Sequence, residues 1–184
     1  MRWSRLFADL DSQVDSLLDA EMDVEVAERT RIEVSRLRIA DRLRTAEGHP
    51  IEAHCAGVGP VRGRLDRIGT DWLLLCDPPA GETLVPLAAV LAVSGLGRRS
   101  AAPGSTGHVA GALGLRHVLR GVARDRSPVR MVLTDGVPLA GTVDRVGFDF
   151  LELAEHPSGE PRRAGAVIRV RTVPYAGIGV VRSG

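Results

Sequence analysis

The stretch "GRLDRIGTDWLLL", Gly63 to Leu75, returns as "GTVDRVGFDFLEL", Gly141 to Leu153, seventy-eight residues further on. In each copy two apolar residues, Leu65 and Ile68 or Val143 and Val146, stand three apart. Strict alternation along a strand would send them to opposite faces. A bulge at Asp66–Arg67 and at Asp144–Arg145 returns both to one face and bends the strand. Gly69 and Gly147 then fall in a tight hairpin, where positive φ is expected. Asp71 and Asp149 open the following strand, where a carboxylate accepts N–H groups of the turn. Leu73, Leu75, Leu151 and Leu153 alternate toward a core. On the other face Trp72 and Leu74 make an apolar stripe that Phe150 and Glu152 reproduce only in part, so the long N-terminal helix or the second copy is expected to cover it.

The repetition extends in both directions. Between Pro60–Glu82 and Pro138–Glu160 eleven of twenty-three positions are identical, which chance does not produce. Upstream, "RLRIADRLRTAEGHP" aligns with "ALGLRHVLRGVARDRSP", matching Arg38 to Arg116, Arg42 to Arg120 and Pro50 to Pro128, so each copy begins with a helix. Downstream, "VPLAAVLAV" from Val85 matches "VPYAGIGVV" from Val173 once a ten-residue insertion around "HPSGEPRRAG" is allowed. Short alternating runs predict strands near 51–56, 61–68, 71–77, 82–86 and 90–94, and the same series again. Between the copies, Gly97 to Gly111 collects Gly, Ser and Pro without periodicity and reads as a flexible linker. The expected organisation is an acidic, coiled-coil-like helix over 1–35, a first unit with its leading helix over 36–96, a linker over 97–112, and a second unit over 113–184 with its own helix and a longer loop after its third strand.

From Arg2 to Glu47 there is neither Gly nor Pro, and the apolar spacing is helical. Trp3, Phe7, Leu10, Val14 and Leu17 step by 4, 3, 4 and 3, the spacing of a coiled-coil seam. Such a stripe packs either on the chain's own body or against a partner helix, a second copy included. Residues 1–28 hold eight acids and two Arg, a charge of −6, while the rest of the chain carries +7.

Hydrophobic residues make up 44% of the chain but aromatics only 3%, so any core is built from Leu, Val, Ile and Ala. A net charge of +1 excludes a polycation that binds nucleic acid through bulk charge alone. All 24 basic residues are Arg, which reads as the codon bias of a GC-rich genome. Cys55 and Cys76 lie in or beside apolar runs, no leader pattern opens the chain, and no run reaches the ~18–20 apolar residues of a membrane span. A reduced, cytoplasmic protein is expected.

A helix followed by five short strands, with a bent second strand and one tight turn before the fifth, resembles the Sm-like barrel of the SH3-like class over residues 36–95 and 114–182. The resemblance implies a mainly β fold with helices (α+β): a long N-terminal helix, then two small five-stranded barrels, the second preceded by its own helix. Sm-like proteins bind RNA through an Asn late in the first motif and an Arg-Gly pair in the second. Here those places hold Leu74 or Glu152, and "PLAAV" or "PYAGI", so no RNA-binding residue carries over. As a whole, the acidic N-terminus followed by "GRLDRIGTDWLLL" and "LVPLAAVLAVSGLGRR" is similar to a family of uncharacterised actinobacterial proteins, which suggests a source but no activity.

Chemistry is sparse. His49, His54, His108, His117 and His156 are scattered and show no metal-ligand spacing with either cysteine. Neither a nucleophile elbow nor a phosphate-binding glycine loop is present. No enzyme, cofactor, metal or small-molecule substrate is expected. Candidate anion or nucleic-acid contacts are Arg67 and Arg145 at the predicted bends, Arg98 and Arg99 at the linker, Arg116 and Arg120 on one helix face, and Arg162 and Arg163 in the insertion. The expected function is a non-enzymatic cytoplasmic adaptor or scaffold that binds protein partners, or itself, through the helix and the barrel surfaces. RNA or DNA association through the Arg-rich faces is the alternative.

Overall fold

The computed structural model describes residues 22, 28–78, 81–97, 99–101, 113–157 and 167–183. Helix α1 covers residues 28–36 and α2 covers Ile39–Arg44. Five strands follow: β1 (Pro50–Cys55), β2 (Gly59–Ile68), β3 (Trp72–Asp77), β4 (Gly81–Pro86) and β5 (Val90–Ser94). Helix α3 (Leu115–Asp125) leads β6 (Pro128–Leu133), β7 (Pro138–Val146), β8 (Phe150–Glu155), β9 (Arg169–Pro174) and β10 (Ile178–Ser183).

The opening phrase folds as the bulged hairpin that its broken alternation predicts. β2 and β3 pair antiparallel with a slip between Leu65 and Arg67, and β7 and β8 slip between Val143 and Arg145. The extra residue lets Leu65 and Ile68 both be buried. The glycines of these hairpins serve a different purpose from the one expected. Neither Gly69 nor Gly147 is among the residues with positive φ. Instead, a Cβ on Gly69 would fall inside the Trp72 ring, and one on Gly147 inside the Phe150 ring, so each glycine makes room for the aromatic that starts the next strand.

The expectation of two separate five-stranded barrels is overturned. Among the described residues the chain is mixed α+β with one continuous antiparallel sheet of ten strands, in the order β5-β1-β2-β3-β4-β10-β6-β7-β8-β9, not closed into a barrel. Two runs of five strands share an internal order, and β4 and β10 join them. The physical reason lies in the edge of β4 and the stripe beside it. An unpaired strand leaves a row of backbone N–H and C=O groups without partners, and Trp72 and Leu84 would face water. β10 supplies the hydrogen bonds, and Trp72 and Leu84 are enclosed with Leu115, Leu119, Met131, Val143, Leu151, Leu153, Ile178 and Val181. The other cluster, around Leu43, Ile51, Leu65, Leu73, Leu75 and Val85, takes in Val180 from β10. Each core therefore contains side chains from both halves.

Residues 1–38 and 39–184 form two compact units. The helix predicted to run from Arg2 to Glu47 is interrupted at Leu37 and Arg38. No Gly or Pro causes the break. α2 is placed so that Leu43 enters the first core and Ala40 is buried, and this burial outweighs uninterrupted helix propensity. Gly48, at φ +81°, closes the turn after α2. The start of the expected linker lies against α2. Arg42 Nη2 donates to the Gly97 carbonyl at 2.5 Å, Thr45 Oγ1 to that of Arg99 at 3.1 Å, and the Ala101 N–H to that of Asp41 at 2.9 Å. The remainder of that stretch, 98 and 102–112, lies outside the described residues, as does the seam of Trp3, Phe7, Leu10, Val14 and Leu17.

Candidate functional site

The junction between the two halves combines strand pairing with helix docking. β4 meets β10 with Leu84 opposite Val181 and Thr83 opposite Arg182. Beside this pair, α3 docks by its N-terminus. Asp71 Oδ1 accepts the Leu115 N–H at 2.6 Å, and Trp72 Nε1 donates to the Leu113 carbonyl at 2.9 Å. Asp71 therefore caps a helix forty-four residues away, in addition to receiving the Thr70 hydroxyl of its own turn. A carboxylate satisfies one of the orphan N–H groups of the first turn and is favoured there by the helix dipole. Strand addition, a charged cap and a buried ring together seat one half on the other. A groove of about 550 Å³ remains along this seam, walled by Trp72, Leu84 and Val118 and flanked by Arg67, Asp125 and Arg182.

The second half carries the corresponding surface without a covering segment among the described residues. Among the described residues β9 lies at the end of the sheet, paired to β8 alone. Asp149 stands where Asp71 does, exposed, its carboxylate without a hydrogen-bond or ion-pair partner among the described residues. Phe150, in the place of Trp72, is half-buried, and Phe148, in the place of Thr70, is 80% exposed. The Arg116 guanidinium sits 5.5 Å from the centre of the Phe148 ring, a cation–π contact. Tyr175 donates its hydroxyl to the Gly147 carbonyl at 3.0 Å. Burial pushes the Tyr175 phenol up, while the charges of Arg116 and Arg120 pull it the other way.

Of the predicted arginines, Arg116 is thus brought onto an aromatic ring, and its charge and that of Arg120 are felt at Tyr175. Arg67 stays at its bulge, 3.7 Å from Asp66, and Arg145 reaches Glu152 on the neighbouring strand at 3.7 Å. Both pairs are largely exposed and worth little energetically. Arg99 is exposed beside α2, whereas Arg98, Arg162 and Arg163 lie outside the described residues. Phe148 and Tyr175 were not singled out from the sequence. The available signal was Phe148 at the tip of a turn, where the other copy has Thr70 and where a buried ring has no place.

Little else invites chemistry. A shallow cleft of about 770 Å³ is lined by Ile51, Gly63, Arg64, Cys76 and Glu82. His156 is buried at 2% exposure, with Nε2 2.9 Å from Thr142 Oγ1 and Nδ1 3.1 Å from the Pro157 carbonyl, and is occupied as a core residue. Among the described residues no group of three or more His, Cys, Asp or Glu could hold a metal ion, and no helix is long and apolar enough to cross a membrane. Both cysteines are free, and burial pushes the Cys55 thiol up to about 11 against the opposing pull of Arg182.

No family model, curated protein or solved structure matches this chain. The resemblances to tandem Sm-like barrels and to a family of actinobacterial proteins are accordingly withdrawn: the first conflicts with the single open sheet, and the second has no support from the comparisons.

Proposed function

We propose that the protein is a non-enzymatic cytoplasmic adaptor whose docking surface for protein is the β8–β9 face with Phe148 and Asp149. One observation carries this reading: the corresponding face of the first half, built from Asp71, Trp72 and the β4 edge, already holds a protein segment, namely α3 and β10. An exposed phenylalanine backed by arginine has the composition of an interface anchor. The N-terminal stripe from Trp3 to Leu17 offers a second protein contact, either to a partner or to another copy. The two free cysteines fit a reducing compartment.

A second reading is favoured by the same cluster: Arg116 against an exposed ring, with Arg120 one turn further along α3, suits single-stranded nucleic acid, with the ring as a stacking platform. A photo-crosslinking residue in place of Phe148, activated in native cells, separates the two. A protein adduct absent when the same residue replaces exposed Ala176 supports the adaptor. An RNA or DNA adduct that disappears as salt is raised supports the alternative. Absence of any adduct specific to position 148 refutes both.

A further inference from the structure

We infer that the β8–β9 face takes the β5 edge of a second copy of this chain, so that copies add head to tail. The inference rests on the reading of that face as a protein-docking surface, and it identifies the occupant. β5 stands against β1 as β10 stands against β6: Val93 is opposite Ala53 where Val181 is opposite Met131, Val90 is opposite Cys55 where Ile178 is opposite Leu133, and both pairs slip at the same point. β9 likewise stands against β8 as β4 stands against β3, with Val173 opposite Leu151 and Val85 opposite Leu73. Each strand of the internal junction therefore has a counterpart, and the two counterparts are the strands at the ends of the sheet. Carried across from one chain to the next, the junction register sets Val93 opposite Thr172, as Val181 is set opposite Leu84.

Burial and shape agree with this placement. In β10 the residues Ile178 to Val181 are all buried, whereas in β5 Leu91 is 67% exposed and Ala92 is exposed too. On the other edge Val170 is 57% exposed. Soluble proteins ordinarily keep apolar side chains off such open edges. The contact at the end of the junction is tight: a Cβ on Gly179 would lie 2.9 Å from the Ala56 carbonyl and 3.0 Å from Val58 Cγ2. At the outer faces Leu91 replaces Gly179 and Gly136 replaces Val58, so the bulk changes sides. Within one chain a Cβ on Gly136 would lie 3.2 Å from the Gly57 carbonyl, so this turn already packs against the turn at Gly57. The two faces differ, so the contact is heterologous and each added copy presents the same pair again, giving a ring or an open chain.

Sedimentation velocity of the full chain across the micromolar range tests this. The expected result is concentration-dependent species larger than a dimer. Leu91→Lys and Thr172→Lys, at two exposed positions, should each weaken association by at least about tenfold while far-UV circular dichroism confirms the fold. Each variant keeps one intact face, so their equimolar mixture should form a one-to-one dimer and nothing larger. A chain monomeric throughout, association that survives both edge substitutions, or a mixture that stays monomeric overturns the inference. A monomer that still gives an adduct with a different protein at position 148 removes self-association and leaves the docking face standing, whereas a monomer with no adduct removes both.

Discussion

Replacing Trp72 with Ala should unseat the second half from the first. The ring is 5% exposed, lies over Gly69, and packs with Leu84, Leu115, Leu119 and Val181, while its Nε1–H satisfies the Leu113 carbonyl. Deleting a large buried aromatic costs about 3–5 kcal/mol, because the cavity closes only in part. That is a large share of the ~5–15 kcal/mol that holds a typical domain together. Trp72→Phe keeps most of the ring and removes the N–H, leaving one carbonyl short of a partner at a cost of about 1–3 kcal/mol. Phe150→Ala, at the corresponding but half-buried position, should cost less than Trp72→Ala. Urea unfolding followed by far-UV circular dichroism gives all three values. If Trp72→Ala fell within about 1 kcal/mol of the parent, or if Phe150→Ala were as damaging, the junction would not be the buried core described above.

Asp71→Ala should cost about 1 kcal/mol through loss of the α3 cap, whereas Asp149→Ala should change the stability of the monomer by less than about 0.5 kcal/mol; the same urea titrations decide it. The two glycine positions should respond with opposite signs. Gly141→Ala would set a Cβ onto the Ala154 carbonyl and should destabilise by about 1–3 kcal/mol, while Gly121→Ala, in α3 with nothing within 4 Å of the added atom, should stabilise by about 0.5–1 kcal/mol in thermal unfolding. Cys55 supplies a pH test. Its thiol rises from 9.0 to about 11 on folding, so above pH 9 the unfolded chain loses a proton that the folded chain keeps. Stability should therefore fall as pH climbs through that window, by about 2–3 kcal/mol at its upper end. Urea titrations at about pH 8 and about pH 11 should show a smaller loss for Cys55→Ala, and an identical loss would refute the assignment.

The elements that the sequence specified are those whose information is local. The period-two pattern of Leu73 and Leu75, the break in that pattern at Asp66 and Asp144, and the Gly and Pro punctuation located every described strand to within a few residues and placed both bulges correctly. Arg116 and Arg120 were legible as one helix face for the same reason. Tertiary structure alone decided the rest. Backbone N–H and C=O groups are identical at every residue, so alternation says which face of a strand is buried and nothing about which strand lies at its edge. The joining of β4 to β10, and with it one sheet in place of two barrels, follows from the burial of Trp72 and Leu84 beneath residues about thirty to a hundred and ten positions later. Asp71 reads as a turn residue until α3 arrives from forty-four residues away to use its carboxylate. Gly69 reads as a residue of unusual φ until the Trp72 ring is seen to occupy the space that a Cβ would need. In each case the deciding partner is distant along the chain and close only after folding.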